Sequence, residues 1–296
     1  MLSKLLVGFY RIVHGKLHWR GAGWLISRCA PVLPGLQAFP VAVPGVGVAV
    51  LDFRDSAAFF IMNASLGDFN DNAVLLRCLE SVLRPGDVLW DVGANVGLVS
   101  GHFAHPRYQL SSLHAFEPNP GPRKTLASLL AGVPKAAIHP FGLGDKDQTI
   151  TMSVSSVGSG LGTMLEAQGG GERIQVQVRA GDAVRRELQL PAPDVIKIDV
   201  EGFEPNVFAG LARTITEKRP IIVFEHSHLS DEQVGQLVLP DYLRYFLLYD
   251  GTASATFESR GRGPDAILIP REKAHLFNPE KIGGAWNPAR ANSLVS

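Results

Sequence analysis

The run Val88-Leu89-Trp90-Asp91-Val92-Gly93-Ala94-Asn95-Val96-Gly97 decides how the rest of the chain is read. Five residues of strand character end in a glycine-rich turn, and helical spacing follows to about His102. A strand, a glycine turn and a helix open a βαβ unit on a parallel sheet. Outward from it the pattern repeats. Leu113–Phe116 reads as a second strand ending in Glu117-Pro118-Asn119-Pro120, with a helix from about Arg123. Ala137–Phe141 is a third, 195–199 a fourth, and 221–225 a fifth. Two more strands, 245–249 and 266–269, close the series. Between the third and fourth strands, 149–154 and 174–178 alternate with period 2, which predicts an inserted antiparallel hairpin. Six glycines between 158 and 171 make its tip a candidate lid.

Before this region the chain reads as a helix, a Pro/Gly-rich hairpin around Pro44-Gly45, and a second helix from about 71 to 83 that stops at Arg84-Pro85-Gly86. The division expected is an extension over 1–80, a ligand-binding α/β domain over 81–271 and a tail over 272–296. Leu2, Leu5, Leu6, Phe9, Ile12 and Val13 recur at helical spacing with Lys4, Arg11 and Lys16 between them. A helix docked on the domain is expected, and peripheral contact with a membrane surface is the alternative. The run is short and lacks a cleavage-type site, so no signal peptide is expected. The apolar stretch 39–53 is broken by Pro40, Pro44, Gly45 and Gly47 and falls short of the roughly 20 residues a span needs.

Composition excludes several classes. With 46% hydrophobic residues in 296, the chain can bury a large core, and disorder is not expected. Lys+Arg 28 balances Asp+Glu 28, so no overall basic footprint points to nucleic acid. Two cysteines, Cys29 and Cys78, make neither a disulfide scaffold nor a zinc knuckle, and fit a reducing cytoplasm.

In an open α/β sheet, ligands bind beyond the carboxyl ends of the strands where strand order reverses. A dinucleotide fingerprint would need glycine at 95 and 98, where this chain has Asn95 and Leu98. The pyrophosphate cradle is therefore unmatched, which disfavours an NAD(P)-dependent oxidoreductase. A nucleoside carrying an amino acid, S-adenosylmethionine, has no phosphate and needs polar partners instead. Asp91 is placed to receive its ammonium group, directly or through water, with Gly93, Asn95 and Gly97 along the ligand. Glu117, 26 residues after Asp91, is placed to accept from the ribose hydroxyls. Gly142 and Leu143 follow the third strand where an adenine would rest, with Asp145 near its amino group.

The chain resembles the FkbM-type methyltransferases over about 80–270. The resemblance rests on Asp91-Val92-Gly93-Ala94-Asn95-Val96-Gly97, Phe116-Glu117-Pro118-Asn119, Gly142-Leu143-Gly144-Asp145, and above all Ile196-Lys197-Ile198-Asp199-Val200-Glu201-Gly202-Phe203-Glu204 with Arg219-Pro220-Ile221-Ile222-Val223-Phe224-Glu225. It implies a seven-stranded Rossmann-like α/β methyltransferase fold, with helices on both faces of a mostly parallel sheet. It implies S-adenosylmethionine as cofactor, with Pro118 among its contacts, and O-methylation of a hydroxyl on a sugar, glycan or secondary metabolite. The chain departs from the family at Gly67-Asp68-Phe69-Asn70, where a Gly-x-Tyr-Glu stretch is usual, and at Ala180-Gly181-Asp182.

An aliphatic hydroxyl is a poor nucleophile, so a base or metal is expected beside the methyl. Asp199 is the candidate base, with Glu201 assisting. A structural alternative makes Asp199 the cap of the next helix and leaves Glu204 exposed in its first turn. Without a clear third ligand, no metal is expected. His226, and less so His228, follow the fifth strand on the same edge and titrate in the right range. His102, His105, His114 and His139 are read as structural, and Lys197 is given no chemistry. A non-catalytic Rossmann-like binding protein is the rival outside enzymes.

Overall fold

The computed structural model describes residues 2–17, 21–43, 47–54, 58–66, 72–154, 162–163, 172–257 and 262–282. The chain begins with α1 (Leu2–Leu17), α2 (Gly21–Cys29), the hairpin β1 (Phe39–Val43) and β2 (Gly47–Leu51), α3 (Ala58–Ala64) and α4 (Asn72–Val82). The sequence predicts two helices here, and the structure has four α-helices among the described residues. In α4, Leu75, Leu76, Cys78, Leu79 and Val82 are buried at helical spacing.

Alternation of strands and helices follows: β3 (Val88–Val92), α5 (Leu98–Phe103), β4 (Ser112–Phe116), α6 (Pro120–Leu129), β5 (Ala136–His139), β6 (Gly142–Gly144), β7 (Gln148–Val154), β8 (Gly162–Thr163), β9 (Glu172–Ala180) and α7 (Gly181–Glu187). The chain continues through β10 (Val195–Ile198), α8 (Glu204–Gly210), α9 (Ala212–Lys218), β11 (Ile221–Glu225), α10 (Asp231–Gln236), β12 (Tyr242–Leu248), β13 (Ala253–Ser254) and β14 (Arg262–Pro270).

The main sheet has the order β13-β12-β14-β11-β10-β3-β4-β5. Seven strands carry it, and the two-residue β13 lines one edge. β5, β4, β3, β10 and β11 run parallel, and β14 runs antiparallel between β11 and β12. Strand order reverses between β3 and β10, which pair in parallel with Lys197 opposite Asp91 and Ile198 opposite Val92. The carboxyl ends of these two strands form the switch point at which open α/β sheets bind ligands.

Period-2 alternation sends the strand residues to two cores. Val88, Trp90, Val92, Ile196, Ile198, Ile222 and Phe224 pack on one face with Val207, Phe208 and Leu211. Leu89, Val195, Ile221 and Val223 pack on the other, in one continuous core with Val7, Tyr10, Ile26, Leu36 and Ile61 of the first 80 residues.

The inserted hairpin is present as the antiparallel pair β7–β9, but it belongs to a larger unit. β6 pairs in parallel with β9, and β8 adds to β7, making a four-stranded second sheet. A three-residue strand such as β6 has too few positions to show a period, so the sequence reads it as a turn. The glycine-rich tip, apart from the pairing of residues 162–163, lies outside the described residues, as do Pro44-Gly45, Gly67–Asn70 and most of the tail.

Candidate active site

β3 ends at Val92, and the chain turns at Gly93, whose φ of +79° is left-handed. A Cβ on Gly93 would lie 1.8 Å from the Asp199 carbonyl oxygen, so only glycine lets this turn lie against the end of β10. Phe116 O accepts the N–H groups of Gly93 and Ala94, and Val92 O accepts that of Asp199. β3, β4 and β10 are thereby tied together at their carboxyl ends.

Lys197 lies at the centre of this junction, only 4% exposed. Its ammonium donates to Gly93 O at 2.7 Å and pairs with Asp91 Oδ1 at 3.2 Å and Asp199 Oδ2 at 3.3 Å. Burial alone would lower the lysine pKa, but Asp199 and Asp91 outweigh it and hold the ammonium charged well above its usual range. The sequence gives Lys197 no chemistry but allows it a carboxylate partner, and here it has two. The only signal was a lysine inside an apolar strand two residues before a carboxylate.

Asp91 has no exposed surface. Its Oδ2 accepts the Ser100 hydroxyl at 2.5 Å, and its Oδ1 faces Lys197. Of the two routes to a ligand ammonium expected from sequence, direct or through water, the direct one has no open surface in this arrangement. Glu117 is also buried, and each carboxylate oxygen accepts one backbone N–H at 2.7 Å, from Asn95 and from Asn119. Burial raises its pKa to about 7 against those two donors. Pro118 O accepts from Arg123. Gly142 and Leu143 are buried in β6 of the second sheet, and Asp145 beside them accepts from Asn206.

A group of acids flanks the other side of Asp199, whose side chain is 34% exposed. Asp199 does not cap α8, where no side-chain cap is present. Glu204, expected in solvent, is 1% exposed, accepts the Val200 N–H at 2.9 Å, and is raised to about 7, mainly by burial. Glu201 has a left-handed φ of +56° and lies 2.6 Å from His228 Nε2. Burial, then the charge of Asp199, raises Glu201 to about 8, and the same two causes raise Glu225 to about 10. Glu225 Oε1 accepts from Ser227, while Oε2 is buried without a hydrogen-bond partner among the described residues.

The donor atoms of Glu201, Glu225 and His228 lie within 4.8 Å of one another. That gives the third donor the sequence did not reveal, in a mixed carboxylate and imidazole set that suits a divalent ion. His226 points elsewhere: it is 3% exposed, with its ring against Phe246 at 5.4 Å. His114 and His139 stack in the core, and burial holds both below the ordinary histidine range.

A family model described as the methyltransferase FkbM domain matches residues 91–258, from the buried aspartate of β3 past both acidic strand ends. The chain belongs to the FkbM methyltransferase family. Among its relatives, the 31-O-demethyl-FK506 methyltransferase FkbM of Streptomyces tacrolimicus is 32% identical, over 57% of this chain and 75% of that protein. The hexuronic acid methyltransferase AglP of Haloferax volcanii is 26% identical, over 58% of this chain and 69% of that protein. The crystal structure of an FkbM methyltransferase from Methylobacillus flagellatus is 17% identical with a TM-score of 0.43, and covers 83% of this chain and 60% of its own. Family membership sets the oxidoreductase reading aside, in line with Asn95 and Leu98 in the glycine turn.

The charges around this FkbM-type turn fit a methyl-donor nucleoside better than a pyrophosphate. Lys197 is neutralised by two carboxylates, while Glu117, an acceptor that suits a ribose in either ligand class, does not discriminate between them.

Proposed function

We propose that the protein transfers the methyl group of S-adenosylmethionine to a hydroxyl oxygen of a sugar, glycan or secondary-metabolite acceptor. The observation that carries the reading is the Lys197 junction. One ammonium ion binds Gly93 of the cofactor turn, Asp91 beneath it and the partly exposed Asp199 beside it, so the turn and the candidate base are tied to one side chain. The family places the reaction among methyl transfers. The two relatives act, by their names, on hexuronic acid and 31-O-demethyl-FK506; the second name supports a hydroxyl acceptor here, and the first supports a sugar-acid acceptor.

Glu117 holds the ribose, and Gly93, Asn95 and Gly97 line the methionyl end. Gly142 and Leu143 border the adenine. Bound S-adenosylmethionine supplies an electrophilic methyl on a sulfonium, with the thioether as leaving group. Asp199 takes the acceptor's hydroxyl proton as the oxygen becomes bonded to the methyl carbon. Lys197 holds that carboxylate in place. Glu201 and His228 orient the acceptor, and His226 supports the same edge from within the core. A divalent ion at Glu201, Glu225 and His228 is the second reading, favoured by the convergence of three donors.

Titration calorimetry with S-adenosylhomocysteine and NAD, followed by methyl transfer to a hexuronic acid glycoside, tests the proposal. S-adenosylhomocysteine binds and NAD does not. Asp199→Asn lowers turnover roughly 10²–10⁴-fold, the span of a positioned general base, and leaves cofactor affinity within about threefold. Wild-type turnover in Asp199→Asn removes it as base. Loss of activity with chelator, matched by Glu225→Gln, selects the metal reading. Cofactor binding without transfer to any hydroxyl acceptor returns the chain to a binding role.

A further inference from the structure

Helix α1 is apolar on two sides. Val7, Tyr10 and Val13 are buried in the core, and the Tyr10 hydroxyl donates to Asn63 Oδ1 at 2.7 Å, which fixes the helix on the domain. The opposite stripe of Leu2, Leu5, Phe9 and Ile12, at spacings of three, four and three, is 43–61% exposed. A surface helix normally presents polar residues there. Exposed Lys4 and Arg11 flank the stripe. In α2, Trp24 is 61% exposed with the Arg28 guanidinium 5.4 Å from its ring centre.

Charge is segregated along the chain in the same place. The first 51 residues contain Lys4, Arg11, Lys16, Arg20 and Arg28 and no acidic residue. The other 245 hold 23 basic residues against 28 acidic ones, so the zero net charge conceals a positive end and a negative body. Among the described residues, no helix is long and apolar enough to cross a membrane.

We infer that this segment is a docking surface for an anionic lipid bilayer, lying in the interface with Leu2, Leu5, Phe9 and Ile12 in the acyl boundary and the lysine and arginine heads among the lipid phosphates. An apolar stripe, flanking cations and an amphipathic aromatic are what an interfacial helix needs. A second copy of the chain is a poorer occupant, because a two-fold contact on this stripe would set the exposed Lys4 and Arg11 against the same pair.

The test is sedimentation of the full chain with vesicles of phosphatidylcholine alone and of phosphatidylcholine with phosphatidylglycerol. The protein pellets with the anionic vesicles only, and raised salt releases it. Leu5→Glu with Ile12→Glu, and separately Lys4→Glu with Arg11→Glu, weaken partitioning at least about tenfold. Both pairs keep the wild-type melting temperature and methyl transfer to a soluble acceptor, since all four side chains are exposed. Wild-type protein that stays in the supernatant with anionic vesicles, or pellets equally with neutral ones, overturns the inference. So does either variant pair binding like wild type. A dimer broken by Leu5→Glu with Ile12→Glu, without vesicle binding, assigns the stripe to a second copy instead. Vesicle binding is read without any methylation assay, so its outcome is independent of the proposed reaction.

Discussion

Removing the Lys197 ammonium leaves Asp91 buried with no counter-charge, and the cost follows from that geometry. Taking an ion out of water costs several kcal/mol, offset here by two carboxylates and the Gly93 carbonyl. Lys197→Met is expected to destabilise the fold by about 3–5 kcal/mol, the usual cost of breaking a buried pair from one side. Asp91→Asn combined with Lys197→Met should cost less than the two single changes added, since the second substitution removes the stranded charge. Denaturant unfolding of the three variants measures this, and strict additivity would show that the pair is not coupled. Lys197 also shows where residue-level reading stops. Its position in an apolar strand was visible, but its partners depend on the Lys197–Asp91 register, which pairs strands more than a hundred residues apart. Asp91, Glu117 and Asp199 were legible as carboxylates at strand tips, because glycine spacing and strand periodicity are local. The fates of Glu204 and Glu225 were not, because burial is set by α8 and β11 folding back on the sheet.

Among the elements, the turn from β3 into α5 is the one whose geometry tolerates least. Gly93 and Gly97 both have left-handed φ, +79° and +90°, yet they differ in what a side chain would meet. At Gly93 the obstacle is the Asp199 backbone oxygen at 1.8 Å, which cannot move without pulling β10 away. At Gly97 the obstacles are the buried Leu126 Cδ1 at 2.7 Å and its Cα at 3.2 Å, a smaller clash that is part side chain and part backbone. Gly97→Ala should therefore cost the left-handed strain of about 1–2 kcal/mol and a local shift of α6 besides, but less than a change at Gly93. Gly93→Ala should lower stability more and abolish S-adenosylhomocysteine binding. Equal melting temperatures and affinities for the two variants would refute the close packing of the turn on β10. The core elements β3, β4, β10 and β11 matched the sequence reading within a residue or so, because buried parallel strands are short apolar runs with clear stops. The first 80 residues were less legible. α2 and α3 are short, and tertiary packing against the sheet, rather than local pattern, makes them helical.

For the whole molecule, protonation of buried groups should set a narrow pH optimum of stability. Glu117, Glu201, Glu204 and Glu225 are raised to about 7, 8, 7 and 10, with burial the leading cause in each. An unfolded glutamate loses its proton near 4.5, so above that pH the folded state holds more protons than the unfolded chain. The stability these groups give is complete below about 4.5 and is lost as pH rises through their folded values. The core histidines act on the opposite limb. Burial lowers His139 to about 4 and His114 in the same direction, so below about 6.5 the unfolded chain takes up protons that the folded core refuses. Stability is lost on that side as pH falls. Four raised glutamates outweigh two lowered histidines above about pH 5, so the melting temperature should already be falling with pH by about pH 6. From there to pH 9 it should drop by several degrees, at about 2–4 °C per kcal/mol for a chain of this size. Scanning calorimetry at constant ionic strength across that range is the measurement. Glu201→Gln should flatten the alkaline limb, because the amide keeps the shape and has no proton to lose. A melting temperature that stays level from pH 6 to 9 in the wild type would mean the acid cluster is ionised in the folded protein. The carboxyls around Asp199 would then need a bound cation to hold them together, and the Glu201, Glu225 and His228 donors are where it would sit.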